Sequence, residues 1–255
     1  MIHIEDLSVC YQGKDGPITA IENINLNISQ GEICAVIGPS GGGKSTLLKV
    51  LAGIIKGYRG RVLIDGREVD PKTHRIGFIP QNDGLIKWRT VEQNIRLSAK
   101  IKDGRKHIDR NYYLELIKRL NIQGMKERYP NQLSGGERQR VSLARVFLLK
   151  PHLLLMDESF SALDAITREE VRRVFLDVWK AHRVTTVFVT HDINEAIFLG
   201  EKVVVLSAAP GKVVNMMHNP LFGKFCSFTT GDYAELNRKL RKMLRGDQNH
   251  AASCI

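Results

Sequence analysis

Lys44 stands in a glycine-rich run, Gly38-Pro39-Ser40-Gly41-Gly42-Gly43-Lys44-Ser45-Thr46, with the spacing G-x-x-x-x-G-K-[ST]. Glycines let consecutive backbone N–H groups turn toward one point with no side chain in the way. A helix opening there adds its unpaired N–H groups and the positive end of its dipole. Such a concavity takes a phosphate chain, so the whole stretch reads as a nucleoside triphosphate cradle. Lys44 brings a full charge to the outer phosphates, and the Ser45 hydroxyl can ligate Mg²⁺. Asp157 and Glu158 close the apolar run Leu153-Leu154-Leu155-Met156. Both carboxylates are therefore expected at the C-terminal edge of a sheet, where open α/β sheets keep their ligands. There Asp157 would hold the Mg²⁺ shell and Glu158 would orient and deprotonate an attacking water. A second glycine loop, Leu133-Ser134-Gly135-Gly136-Glu137-Arg138-Gln139-Arg140, also opens onto a helical pattern. Ser134 and the amides of Gly135 and Gly136 make it a second anion site. Two phosphate-type sites with one recognisable lysine suggest a triphosphate clamped between two chains.

The elements that must position these groups follow from hydrophobic periodicity. Ile33-Cys34-Ala35-Val36-Ile37 reads as a fully apolar strand leading into the glycine loop, with a helix over 44–55 behind it. Strands are expected at 2–9, Ile24–Ile28, Arg61–Ile64 (closing on an Asp65-Gly66 hairpin turn), Ile76–Ile79 and Leu153–Asp157. Residues 90–150 carry only helical patterns, at Thr90–Lys100, His107–Leu120 and Glu137–Leu149, the first opened by a capping box at Thr90 and Gln93. A helix over 164–182, strand Thr185–Thr190, helix 192–199 and strands Val203–Leu206 and Lys212–Met216 follow. An amphipathic helix with a basic face is expected from Asp232 to Arg245, then a disordered tail over 246–255. The fold class is α/β: a core interrupted by an all-helical insert that carries the second glycine loop, with an antiparallel β layer near the N-terminus.

Length, charge and cysteines narrow the function classes. A chain of 255 residues buries a substantial core. No apolar run approaches the ~18 residues of a membrane span. Met1-Ile2-His3-Ile4-Glu5-Asp6 has no signal-peptide layout, so a cytosolic protein is expected. Cys10, Cys34, Cys226 and Cys254 lack any C-x-x-C spacing, which favours reduced thiols over a disulfide frame or a metal site. The net charge of +11 suits an anionic partner. No nucleic-acid module is visible, and an anionic lipid surface is the competing account of the charge.

Taken together, Gly38–Thr46, Gln81, Leu133–Gln139, Leu154–Glu158, Ser161-Ala162-Leu163-Asp164 and His191 resemble the nucleotide-binding subunit of an ABC transporter, in that family's order. The resemblance covers about residues 1–230 and implies a P-loop NTPase (RecA-like) core. Core and β layer would occupy 1–81 and 151–230, the helical subdomain about 82–150, and the C-terminal helix and tail 231–255. It also implies a head-to-tail homodimer with two ATP molecules, each between the Lys44 loop of one subunit and the loop of Ser134, Gly135, Gly136 and Glu137 of the other. By the same resemblance Gln81 contacts Mg²⁺ and the water, Asp164 crosses the dimer interface, His191 bonds the γ-phosphate and steadies Glu158, and Tyr11 stacks on adenine.

A narrower resemblance, to the nitrate/sulfonate/taurine importer group, rests on Gly84–Ile95, on Thr167-Arg168 after Asp164, and on Thr190–Ala196. It implies a permease contact at Trp88, a separate membrane permease, an indirect solute-binding protein, and a place on the cytoplasmic face of the membrane. Two positions depart from the pattern: Ser159 stands where the family usually has Pro, and Lys87 where the importer group usually has Pro. Non-transport ABC ATPases of repair, translation or cluster assembly are the alternative. A single cassette and Trp88 favour a membrane partner. A small-molecule P-loop kinase would leave Leu133–Gln139 without a role.

Overall fold

Glycine and proline punctuate runs whose burial decides each element. The structure, a computed structural model, describes residues 1–14, 16–104, 108–224 and 231–251, with side chains as far as 244. In chain order the elements are β1 (Ile2–Gly13), β2 (Gly16–Ile28), β3 (Ile33–Ile37), α1 (Lys44–Leu51), β4 (Arg59–Ile64), β5 (Arg67–Glu68) and β6 (Ile76–Ile79). Then come α2 (Val91–Asp103), α3 (Arg110–Arg119), α4 (Gly135–Leu148), β7 (Leu153–Asp157), α5 (Ala165–His182), β8 (Thr185–Thr190) and α6 (Ile193–Leu199). The chain ends with β9 (Lys202–Leu206), β10 (Val213–His218) and α7 (Gly231–Ala251). They form two units, Met1–His74 with Thr185–Ile255, and Arg75–Val184.

In the first unit β1 pairs antiparallel with both β2 and β4, and β4 with β5, in the order β2-β1-β4-β5. Alternate residues Ile2, Ile4, Ile24, Leu26, Val62 and Ile64 are buried, as one dry face requires. Asp65 (φ 52°) and Gly66 (φ 74°) make the two-residue turn between β4 and β5, both left-handed as such hairpins need. A second sheet holds β3 parallel to β8 and β9, with β10 antiparallel on β9. Every residue of β3 and β8 is buried, which explains the unbroken apolar run of β3 and the β-branched and aromatic make-up of β8. Gly211 bonds Ala20 and Glu22 through the backbone, tying this sheet to β2. Helix α7 packs on α6 and β9, burying Tyr233 and Leu240 and leaving Arg238, Lys239, Arg241 and Lys242 exposed. It runs six residues past the expected end at Arg245, no proline standing in the way; 252–255 lie outside the described residues.

In the second unit β6 and β7 pair in parallel, Ile76 with Leu153 through Ile79 with Met156. The segment expected to be all-helical, 82–150, lies inside this unit with that strand pair and α5. Helix α4 is its axis: Val141, Leu143, Ala144, Val146, Phe147 and Leu148 are buried, with α2, α3, α5 and β6 around it. At about 1.5–3 kcal/mol per large apolar side chain, that stripe fixes α4 firmly. Among the described residues no helix is long and apolar enough to cross a membrane.

Candidate functional site

The phosphate loop leaves β3 at Gly38 and enters α1 at Lys44. Gly43 (φ 75°) is the N-cap of α1, and no side chain caps that end. A Cβ on Gly43 would lie 2.1 Å from Ile21 Cγ2, and one on Gly42 2.5 Å from the Ser207 carbonyl oxygen. Glycine is therefore demanded by close packing of the loop against β2 and the turn after β9, besides any ligand. Ser40 and Gly41 stay exposed at the mouth. Lys44 is only 7% exposed, and its ammonium donates to the carbonyls of Gly38 (2.9 Å) and Pro39 (2.8 Å). The charge is held on the loop, where an arriving phosphate can replace neutral acceptors with an ionic one. The hydroxyls of Tyr11 and Thr46 lie 3.1 Å apart, which ties the tyrosine to the first turn of α1 while 41% of the residue remains open. An aromatic face is thus kept beside the cradle.

His191, in the same unit, is exposed just past β8. The residues around it are fixed. The Thr190 hydroxyl donates to the buried Glu195 carboxylate (2.6 Å) and accepts the Asp192 N–H (3.0 Å), and Asp192 caps α6 through the Asn194 N–H (2.9 Å).

The second unit carries the carboxylates. Asp157 ends β7 and, like Glu158, is half-buried. The Gln81 side-chain amide donates to Glu158 Oε2 at 3.4 Å, so residues 77 apart in sequence meet at the ends of β6 and β7. Glu158 has φ 45°, a left-handed conformation costing a residue with a Cβ about 1–3 kcal/mol. The Ser161 N–H (3.1 Å) and hydroxyl (2.8 Å) both donate to the Glu158 carbonyl and offset that strain. Ser159 is buried, and its hydroxyl donates to the Ile79 carbonyl at 3.4 Å. The departure at Ser159 thus adds a link to β6.

The second glycine loop is capped by its own residues. Ser134 Oγ accepts the Glu137 N–H (3.2 Å), and Glu137 accepts the Ser134 N–H (2.6 Å), a reciprocal box at the start of α4. The Ser134 oxygen is used as an acceptor, which leaves its hydroxyl proton for a ligand. Gly135 would meet Leu163 at 3.1 Å, and Gly136 would meet Thr167 Cγ2 at 2.4 Å. Asp164 caps α5 by accepting the Thr167 N–H (3.1 Å). The Thr167 hydroxyl, then backbone amides, hold the Asp164 carboxyl below the usual carboxylate range. Thr167 therefore touches both Asp164 and the open face of Gly136, a meeting point that sequence spacing did not announce.

Trp88 is 79% exposed, on a loop that is otherwise bracketed. Asn94, fully buried, accepts the Ile86 N–H (2.8 Å) and donates to the carbonyls of Ile86, Arg89 and Thr90 (3.1 Å each). From α4, Arg145 donates to the carbonyls of Gly84 (2.6 Å) and Asp83 (2.9 Å), Ser142 to that of Asp83 (2.8 Å), and Arg138 to the Asp83 carboxylate (3.2 Å). The loop between Gln81 and Trp88 is thereby fastened to the helix that begins at Ser134. Sequence reasoning passed over Asn94, Ser142 and Arg145. The available signal was polar residues inside apolar runs, such as Arg145 in Leu143-Ala144-Arg145-Val146-Phe147.

Known proteins bear on this geometry. A family model described as "ABC transporter" matches residues 21–161. The aliphatic sulfonates import ATP-binding protein SsuB of Bacillus subtilis (strain 168) is 43% identical over 218 residues, 85% of this chain and 83% of that protein. The taurine import ATP-binding protein TauB of Shigella sonnei (strain Ss046) is 37% identical over 217 residues, 85% of this chain and 84% of that one. Among solved structures, the dimeric post-hydrolysis state of the ATP-binding cassette MJ0796, bound to ADP and Pi, superposes with a TM-score of 0.74 at 32% identity. That likeness covers 86% of this chain and 98% of the other. The Lys44 loop, the Gln81–Glu158 pair and the capped Ser134 loop thus stand in a chain that belongs to the ABC transporter family of ATP-binding cassettes.

Proposed function

We propose that this chain is the ATP-hydrolysing subunit of an importer for a small anionic solute of the sulfonate or taurine kind, acting as a homodimer on the cytoplasmic face of a membrane permease. The observation that carries the reading is the phosphate loop: an uncapped helix end, a buried ammonium held on the loop and a tyrosine ring beside it. The names of SsuB and TauB support the solute class, and the dimeric MJ0796 cassette supports the pairing of two chains. The solute would be delivered to the permease by a separate binding protein.

In this reading Lys44 and the amides from Gly41 to Thr46 hold the triphosphate, and Tyr11 stacks on the base. Glu158 takes the proton of the attacking water, Gln81 orients that water, and His191 bonds the γ-phosphate. Ser134, Gly135 and Gly136 of one chain close on the nucleotide of the other, with Asp164 crossing between chains, and Trp88 meets the permease. Ser45, Gln81 and Asp157 would hold Mg²⁺, since hydroxyl, amide and carboxylate oxygens are the hard donors it takes. When bound, the ion neutralises charge on the outer phosphates.

The test is Glu158→Gln. ATP binding is expected to persist and turnover to fall by about 10²–10⁴-fold, the usual contribution of a general base. On a sizing column the variant is expected to run as a dimer only with ATP. Near-normal turnover would remove Glu158 from its role, and a monomer that persists in ATP would remove the clamp.

A further inference from the structure

We infer that α7 is a positioning element for the catalytic turn at His191, acting through Asn194; this rests on the role proposed for His191. Asn194 lies in the first turn of α6, three residues past His191. Its side-chain oxygen accepts from two residues of α7: the Tyr233 hydroxyl, in a short contact, and the Asn237 amide at 2.9 Å. Arg241 Nε in turn donates to the Asn237 oxygen (2.7 Å), which sets the orientation of that amide. Helix α7 has purchase for this, since Tyr233 is 8% exposed and Leu240 is fully buried.

The grip reaches His191 through a short chain of bonds. The Asn194 N–H donates to the Asp192 carboxylate (2.9 Å), the Asp192 N–H to the Thr190 hydroxyl (3.0 Å), and that hydroxyl to the buried Glu195 (2.6 Å). His191 is thus the residue between two fastened neighbours. Helix α6 is only seven residues long. Its far end is held separately, by Asn219 donating to the carbonyls of Ile197 and Gly200 (2.6 Å each) and by the Gly223 N–H on Phe198 (2.9 Å). With the C-terminal end pinned there, the bonds from α7 decide how far the N-terminal end, and the turn in front of it, can swing. A swing of about an ångström at a catalytic group is costly, because its hydrogen bonds to the reacting atoms are directional.

The experiment uses the full chain and compares Asn194→Ala, Asn194→Asp and the double variant Tyr233→Phe/Asn237→Ala with wild type, alongside His191→Ala. Asn194→Ala and the double variant are expected to lower kcat for ATP hydrolysis about fivefold to tenfold and to leave the KM for ATP within about twofold, because the Lys44 cradle is untouched. Asn194→Asp keeps an accepting oxygen in that place and is expected to restore kcat. The imidazole signal of His191, assigned by its loss in His191→Ala, is expected to shift or broaden in the two impaired variants and to return in Asn194→Asp. Wild-type kcat in Asn194→Ala and in the double variant, with His191→Ala inactive, would overturn the positioning role alone; α7 would then merely rest on α6. Full turnover in His191→Ala would instead overturn the role given to the histidine. Should Asn194→Ala fail to fold, the double variant, which changes only the two donors of α7, decides the matter.

Discussion

Replacing Asn94 by alanine removes the bracket that shapes the loop before α2, and the structure sets the size of the loss. The Asn94 side chain is fully buried and faces four backbone groups: the Ile86 N–H and the carbonyls of Ile86, Arg89 and Thr90. An amide has only two N–H hydrogens, so these four contacts amount to three full hydrogen bonds, one of them shared. At roughly 1 kcal/mol each the variant loses about 3 kcal/mol if the loop keeps its shape and its backbone groups stay buried. With about 2–4 °C per kcal/mol for a chain of this size, Tm is expected to fall about 6–12 °C. If the loop instead opens to water, the stability loss shrinks toward about 1 kcal/mol and mobility at Trp88 rises. The chain has two tryptophans, and Trp179 is fully buried, so a Trp179→Phe background leaves Trp88 as the sole reporter. Thermal unfolding by circular dichroism and Trp88 fluorescence anisotropy are measured on the same samples. A variant whose Tm and Trp88 anisotropy both match the parent would refute the bracket. Asn94→Asp sharpens the test: it presents a carboxylate to three carbonyls and is expected to be worse than alanine.

Two further perturbations probe packing and burial. Gly136→Ala places a Cβ 2.4 Å from Thr167 Cγ2, and overpacking of this kind costs about 1–3 kcal/mol; adding Thr167→Ser, which deletes that methyl, is expected to recover most of the loss in urea unfolding, and no recovery would locate the clash elsewhere. Burial pushes the Cys34 thiol up to about 12, so the native protein is expected to be alkylated at Cys10 and not at Cys34 at pH 8; because the folded value is the raised one, its contribution to stability is present below about pH 9 and lost as pH rises toward 12, and Cys34→Ala is expected to flatten that alkaline fall.

How far the chain could be read from its residues depended on whether an element's reason was local. Strands β3, β6, β7 and β8 match their expected bounds to the residue, because each is a short run of apolar or β-branched residues between polar, glycine or proline stops. The β1–β2 hairpin was read too short at both arms. The polar stretch of β2 before Ile24 is held by pairing with β1 from Gly13–Gly16 onward, with register shifts near Asp6 and Val9 that no periodicity encodes. Helix α1 stops at Leu51, short of the expected 55, because Gly53 (φ 69°) turns left-handed in contact with Pro71. The positions of Lys44, Gln81, Ser134 and Glu158 were legible because motifs set them at strand and helix ends. Their restraints were not. The left-handed Glu158, Thr167 between Asp164 and Gly136, and the grip of Arg145 on Gly84 all join residues far apart in sequence or depend on backbone angles.

The two glycine loops also differ in a way that orders events under the proposed roles. At α1 no side chain caps the helix and a lysine lies on the loop, so an arriving polyanion meets the positive end of the helix dipole and a charge of the right sign. At α4 the N–H groups of Ser134 and Glu137 are engaged by their reciprocal box, and the Glu137 carboxylate sits on the Ser134 N–H itself. A free phosphate there faces a like charge at an end where the Ser134 and Glu137 donors are already used, so α4 alone is a poorer anion site than α1. It becomes a good one when the phosphate arrives already fixed and neutralised by a lysine. Binding at the Lys44 loop must then come first and closure by a second chain's Ser134 second, which makes association of the two chains a consequence of nucleotide binding.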